Sequence, residues 1–143
     1  MNSVNDVRSS SSTTSRTDAE STALATFRRY NDAFRALDAR AVSTFFHEPA
    51  LLFSPRGDFA LPHAADVERT YAGVMKEAKA RGYMRTAFDA LQACSFGTQS
   101  ATVEGHGAWI GTNGEVLMRF ECSYVLRRVG DVWKIALAMV RAA

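Results

Sequence analysis

GHGAWIGTNGEVLMRFECSY, residues 105–124, reads as two strands folded back on each other at Asn113-Gly114. Asn-Gly is the strongest short hairpin signal, because a type I′ turn needs positive φ at both central residues. A two-residue loop sets Thr112 opposite Glu115. Trp109 then faces Met118, Gly107 faces Phe120, Gly105 faces Cys122 and Val103 faces Tyr124, while His106 meets Glu121 and Ala108 meets Arg119 on the other side. Side chains alternate across a strand, so this register sorts the two faces of a sheet.

A second turn at Gly130-Asp131 pairs Val129 with Val132 and extends the pattern. It places Trp133, Ile135, Leu137 and Met139 with Cys122, Tyr124 and Leu126 on one inner face, apolar and aromatic enough to be covered by helices. Gly105 and Gly107 interrupt that face. They leave room for a neighbouring ring, a bend in the strand or a bound molecule. The other face mixes Glu104, His106, Arg119, Glu121, Arg127 and Lys134 with Ala108, Ile110, Val125, Ala136, Ala138 and Val140. That is too apolar for a solvated surface, so a second copy of the chain is expected on it, burying about 1,600 Å².

Upstream, residues 84–96 form one more strand, giving four long strands with 100–112, 115–128 and 132–141. Before them the period is helical. From Asp18, a candidate N-cap, Leu24, Phe27, Tyr30, Phe34 and Leu37 form one stripe on a helix of about 20 residues. Asp38 caps a shorter helix carrying Val42, Phe45 and Phe46 until Pro49. Residues 50–53 and 59–61 flank Pro55-Arg56-Gly57-Asp58 as a small hairpin. Val67, Tyr71, Val74 and Ala78 make a third helical stripe closed at Gly82.

With 143 residues the chain has room for one domain, over residues 18–143, behind a Ser/Thr-rich stretch at 1–17 expected to be disordered. Seventeen Lys plus Arg against 15 Asp plus Glu, interspersed, make no field that would gather nucleic acid or an anionic membrane. The stretch lacks the apolar run of a signal peptide or membrane span. Cys94 and Cys122 have no zinc or CxxC spacing and read as reduced, buried thiols, which fits the cytoplasm. His47 and His63 have no metal-ligand spacing either. No metal and no cofactor is expected.

The order helix, short helix, hairpin, helix, four long strands, with FRRYNDAFRALDARAVSTFFHEPALLFSP (residues 27–55) and YVLRRVGDVWKIALAMV (residues 124–140), resembles the nuclear transport factor 2-like superfamily. It is similar to the SnoaL-like and ketosteroid isomerase-like bacterial members. The resemblance rests on Leu37, Asp38, Val42 and Phe46 and on the Trp133-Lys134-Ile135 end. It implies an α+β cone, also called cystatin-like: a curved, mostly antiparallel sheet wrapped around three helices from the N-terminal half. Ketosteroid isomerases of this fold use a helix tyrosine and a protonated aspartic acid as oxyanion donors, with an aspartate base; the handling of carboxyl pKa values in that enzyme is a standard example. Aligned residue by residue, the tyrosine falls on Tyr30, the base on Ser54 and the donor acid on Cys122. A serine takes no proton from a carbon acid without a base of its own, and a thiol is a weak donor, so that isomerisation is not expected.

The candidate ligand-binding residues are Tyr30, Phe53, Ser54 and Trp109, with Phe120, Cys122, Tyr124 and Met139 across from them; Asn31 beside Tyr30 reads first as hydrogen-bonding a loop backbone and second as lining the same cavity. The leading expectation is binding of a small apolar or aromatic molecule. An alternative is a cyclase, isomerase or hydro-lyase acting on a carbonyl compound, with Tyr30 polarising the oxygen and His106 or Glu104 moving the proton. That requires a bulge to turn His106 and Glu104 inward; the plain register makes them an outward cross-strand pair. A third reading is an interaction module whose pocket is filled by its own rings. Tyr71 and Met75 read first as packing and second as lining the pocket mouth.

Overall fold

The computed structural model describes the side chains of residues 16–143. Of the tail expected over residues 1–17, the side chains other than those of Arg16 and Thr17 therefore lie outside the described residues. In chain order the elements are α1 (Asn2–Arg35), α2 (Ala39–Ser43), β1 (Phe46–Ser54), β2 (Gly57–Leu61), α3 (Ala64–Ala80), β3 (Tyr83–Phe96), β4 (Ser100–Gly111), β5 (Val116–Val129) and β6 (Val132–Ala142). The six strands form one curved sheet in the order β2-β1-β6-β5-β4-β3. It is antiparallel throughout except where β1 runs parallel to β6. The helices pack on its inner face, as the α+β expectation required. Among the described residues, no helix is long and apolar enough to cross a membrane.

Ala19, Ala23, Phe27, Tyr30 and Phe34 recur every three or four residues along α1 and are all buried, which is the stripe a sheet-covering helix needs. Its setting is fixed by two hydrogen bonds to the sheet. The Trp133 Nε1–H donates to Thr22 Oγ1 at 2.8 Å, and the Ser95 N–H donates to Glu20 Oε2 at 2.8 Å. Asp18 lies within α1 rather than capping it, and Leu24 is only half-buried. Leu37 falls outside the helix: its φ of +55° is left-handed, and its N–H donates to Phe34 O at 2.8 Å while the Asp38 N–H reaches Ala33 O at 3.2 Å, closing the C-terminus.

Asp38 does cap α2, its Oδ1 accepting from the Ala41 N–H at 3.0 Å. The helix, however, stops at Ser43, so Phe45 and Phe46 are not helical as expected and Pro49 lies inside β1. The reason is a long-range pairing: the Ile135 N–H donates to Phe45 O at 2.8 Å and Phe46 pairs with Ile135. A ladder with β6 displaces the last helical turn.

The β4–β5 pairs read from Asn113-Gly114 are present from Trp109 with Met118 to Val103 with Tyr124, but Thr112 opposite Glu115 is not. The turn that sets them differs. Gly114 alone has positive φ, at +80°, and the Gly111 N–H donates to Glu115 O at 2.8 Å, so three residues, 112–114, form the loop. The register then shifts between Trp109 and Ile110, leaving Leu117 as a bulge that restores the expected pairing. The β5–β6 turn starts as expected, with Val129 opposite Val132. A shift between Val125 and Leu126 leaves Ala136 unpaired, and from there β6 is turned over. Leu137 and Met139 therefore face outward. Ala138 and Val140, expected outside, face inward, and Ala138 is fully buried.

Gly105 and Gly107 face inward and accommodate close approach. A Cβ on Gly105 would stand 2.5 Å from the Ala90 carbonyl oxygen, and one on Gly107 would stand 2.8 Å from Cζ of Phe120 and 2.9 Å from the Ala87 carbonyl oxygen. A bulge at Asp89 bends β3 beside them. Both a neighbouring ring and a bend thus occupy the space.

Candidate functional site

Between α1, α3 and the inner sheet face lies a cavity of about 200 Å³. Phe34 from α1 and Trp109 from β4 face each other across one wall, their ring centroids 6.0 Å apart. On another wall Phe88 and Phe120 meet edge to face at 5.9 Å. Val74 and Leu52 complete the apolar lining from α3 and β1. The rings surround a cavity instead of filling it.

The polar centre is a row of three tyrosines. Tyr30 Oη lies 2.9 Å from Tyr71 Oη and 3.0 Å from Tyr124 Oη, and all three side chains are buried. Burial pushes each phenol well above its ordinary range; for Tyr30 the neighbouring Tyr124 pushes in the same direction. Three hydroxyls carry three protons, and two mutual hydrogen bonds use two of them. The third proton is directed either between Tyr71 and Tyr124, which also interact, or to another acceptor. Hydrogen bonding along such a row polarises each member and strengthens that remaining donor.

Six of the eight candidate ligand-binding residues line this cavity: Tyr30, Ser54, Trp109, Phe120, Cys122 and Tyr124. Phe53 and Met139 do not. They pair on the outer face, where they border a wider groove of about 700 Å³. The Ala136 bulge moved Met139 there, and Phe53 follows because it is opposite Met139. Asn31 lines the cavity, and its Nδ2–H donates to Phe27 O of the preceding turn at 3.0 Å. Ser54 is committed to its hairpin: Oγ donates to Gly57 O and accepts from the Arg56 N–H, each at 3.2 Å. Cys122 is buried, and its thiol is pushed up to about 11 by burial, against a lowering contact with the Gly105 backbone. Cys94, expected buried, is exposed on the outer side of β3; neither cysteine is in a disulfide.

Glu104 and His106 lie outward, as the plain register has them. The His106 ring Nδ1 is 3.8 Å from Glu121 Oε1, Arg141 grips Glu121 at 2.6 Å, and Ser123 Oγ donates to Glu104 Oε1 at 3.2 Å. No bulge turns these groups toward the tyrosines.

Sequence reasoning missed two features. Tyr71, whose first reading is packing and second the pocket mouth, completes the hydroxyl row; a partner 41 residues away leaves no local signal for that bond. Arg56, Glu77 and Arg81 also line the cavity. Arg56 Nη1 and Glu77 Oε2 form an ion pair at 3.2 Å, joining the β1–β2 turn to α3.

Helices laid on the inner face of an open, curved, mostly antiparallel sheet, with an apolar cavity between them, define a nuclear transport factor 2-like (NTF2-like) protein. The chain belongs to the NTF2-like family DUF6841, whose model matches residues 19–143. Solved structures share the fold at low identity. An NTF2-like protein of unknown function from Pseudomonas putida KT2440 is 16% identical, with 89% of this chain and 88% of that one covered and a TM-score of 0.73. A protein of unknown function with a cystatin-like fold from Nostoc punctiforme PCC 73102 is 10% identical, covering 85% and 89%, with a TM-score of 0.71. A ketosteroid isomerase-like protein from Erwinia carotovora atroseptica SCRI1043 is 17% identical, covering 86% and 95%, with a TM-score of 0.68. No curated protein matches the chain.

Proposed function

We propose that this protein binds a compact apolar molecule, about the size of one substituted ring, that presents an oxygen acceptor such as a carbonyl to the tyrosine row. The observation that carries this is the third O–H of Tyr71–Tyr30–Tyr124, beyond the two protons used by the bonds to Tyr30, at a mainly apolar cavity. Size supports it too. A dry cavity of about 150 Å³ accommodates benzene, and this one, at about 200 Å³, accommodates a ring with a short substituent but not a fused polycycle. Binding is favoured over turnover because no carboxylate or imidazole stands beside the tyrosines among the described residues, and Ser54 and Cys122 supply no base.

The test is thermal protection by acetophenone compared with ethylbenzene, which has the same skeleton without the oxygen. A ligand at about 100 times its Kd adds roughly 2.7 kcal/mol, which raises Tm by several degrees. Acetophenone is expected to protect better than ethylbenzene, and the difference to vanish when Tyr30, Tyr71 and Tyr124 are all replaced by Phe. If neither compound protects, nor any wider panel of monocyclic ketones, the cavity is a packing defect and the interaction-module reading replaces this one.

The outer face supports self-association. Leu51 is 42% and Met139 36% exposed, and Leu137 and Phe53 are half-buried beside them on the paired strands β1 and β6. Our reading is a homodimer through this face. Sedimentation is expected to give twice the 15.7 kDa chain mass, and Leu51→Glu/Met139→Glu to return it to the single mass; a monomer at micromolar concentration rejects the interface.

A further inference from the structure

The mouth of the cavity is charged, and its charges do not balance. Arg56, Glu77, Arg81 and Arg141 line it. Arg56 is paired with Glu77 at 3.2 Å, and Arg141 with Glu121 at 2.6 Å. Among the described residues, Arg81 has no carboxylate within ion-pair distance; one Nη2–H donates to Leu117 O at 2.8 Å. A guanidinium has five N–H donors, so four remain. Arg81 also has a defined relation to the tyrosines. Tyr71, Val74 and Glu77 follow one another at spacings of three along α3, and Arg81 is the C-cap of that helix four residues on; all four line the cavity. The rise from Tyr71 to Arg81 is about 15 Å at 1.5 Å per residue, and the guanidinium, held at Leu117 O of β5, lines the cavity at the end away from the tyrosines.

We propose that the ligand is an organic acid: an apolar ring or short chain in the cavity, its oxygen acceptor on the tyrosine row at one end and its carboxylate on Arg81 at the other. This rests on the ligand-binding reading above and specifies its chemical class. A fixed cation at the rim of a low-dielectric cavity attracts an anion more strongly than the same cation in bulk water does, and the flat guanidinium fork matches a carboxylate with two parallel hydrogen bonds. Glu77 sets the selectivity in the opposite direction. It neutralises Arg56 and places the only carboxylate that lines the cavity, among the described residues, near an incoming anion.

The experiment compares 4-acetylbenzoate with 4-acetylbenzamide, which has the same ring and ketone but no charge, by calorimetric titration of the intact chain. The acid is expected to bind about tenfold more tightly than the amide, as a charge-assisted contact does. Arg81→Gln should abolish that preference and leave amide affinity unchanged, which also shows that the variant is folded. Glu77→Gln should tighten acid binding several-fold and leave the amide unaffected. Equal affinities for acid and amide in the wild type overturn the organic-acid inference while the ligand-binding reading stands. An equal loss of both in Arg81→Gln also overturns it, by showing that Arg81 acts through Leu117 rather than on charge. If neither probe binds, the ligand-binding reading falls and this inference falls with it.

Discussion

Phe27→Ala is expected to lower stability by about 4 kcal/mol, within the range for truncating a buried phenylalanine. Phe27 is 1% exposed, and its ring meets Tyr124 at 4.9 Å, Tyr30 at 5.7 Å and Phe88 at 5.8 Å. The void left behind would open into the existing cavity, whose walls are held by sheet and helix backbone and cannot collapse onto it. Neighbours therefore lose contacts without compensation. The expected drop in Tm is on the order of 10 °C, measured by thermal and urea unfolding with an unchanged m-value. A loss below about 1.5 kcal/mol would show that α1 does not seat Phe27 against Phe88 and Tyr124.

Above pH 10 the protein is expected to lose stability steeply. Tyr30, Tyr71 and Tyr124 hold their protons well past the ordinary phenol value, because burial penalises the phenolate. The unfolded chain releases those protons near pH 10. The folded state then binds more protons than the unfolded state, so stability is fully present below pH 10 and falls as pH rises, by about 1.4 kcal/mol per pH unit for each tyrosine. Together the three give a slope of about 4 kcal/mol per pH unit. Cys122, raised from 9.0 to about 11, adds to the fall between those values. Tyrosinate absorbance and circular dichroism, followed in one titration, should change together in a single steep step above pH 10. In Tyr124→Phe the slope should be about a third smaller. Tyrosinate appearing gradually around pH 10 with the dichroism unchanged would mean that the row is open to solvent.

How much of this was legible depends on the range of the interaction concerned. Asp38 capping α2, the α3 stripe ending before Gly82, and the Val129–Val132 pair were readable because each is decided within a few residues, by a side-chain acceptor, a helical period or a turn glycine. The β4–β5 pairing was also read correctly, but through two deviations that cancel. The loop has three residues instead of two, and the Leu117 bulge restores the register. The Ala136 bulge has no compensating partner, so the second half of β6 was assigned to the wrong face, and Met139 and Phe53 with it. A bulge follows from how neighbouring strands twist and close over the helices, and an alternating pattern of apolar residues reads almost equally well one residue out of step.

The sequence by itself determined the element order, the α+β class, the inner aromatic face of β4 and β5, and the outward pairing of His106 with Glu121, because local periodicity and turn chemistry dictate them. Tertiary structure decided the rest. Tyr30 meets Tyr71 and Tyr124 only when α1, α3 and β5 converge, 41 and 94 residues apart in the chain. Likewise Arg56 from a turn and Glu77 and Arg81 from α3 share one cavity mouth only in the folded chain. A side chain's identity restricts what it can bond, but its partner is chosen by packing between elements distant in sequence, and that choice is what brought a core tyrosine and three charged side chains to one cavity.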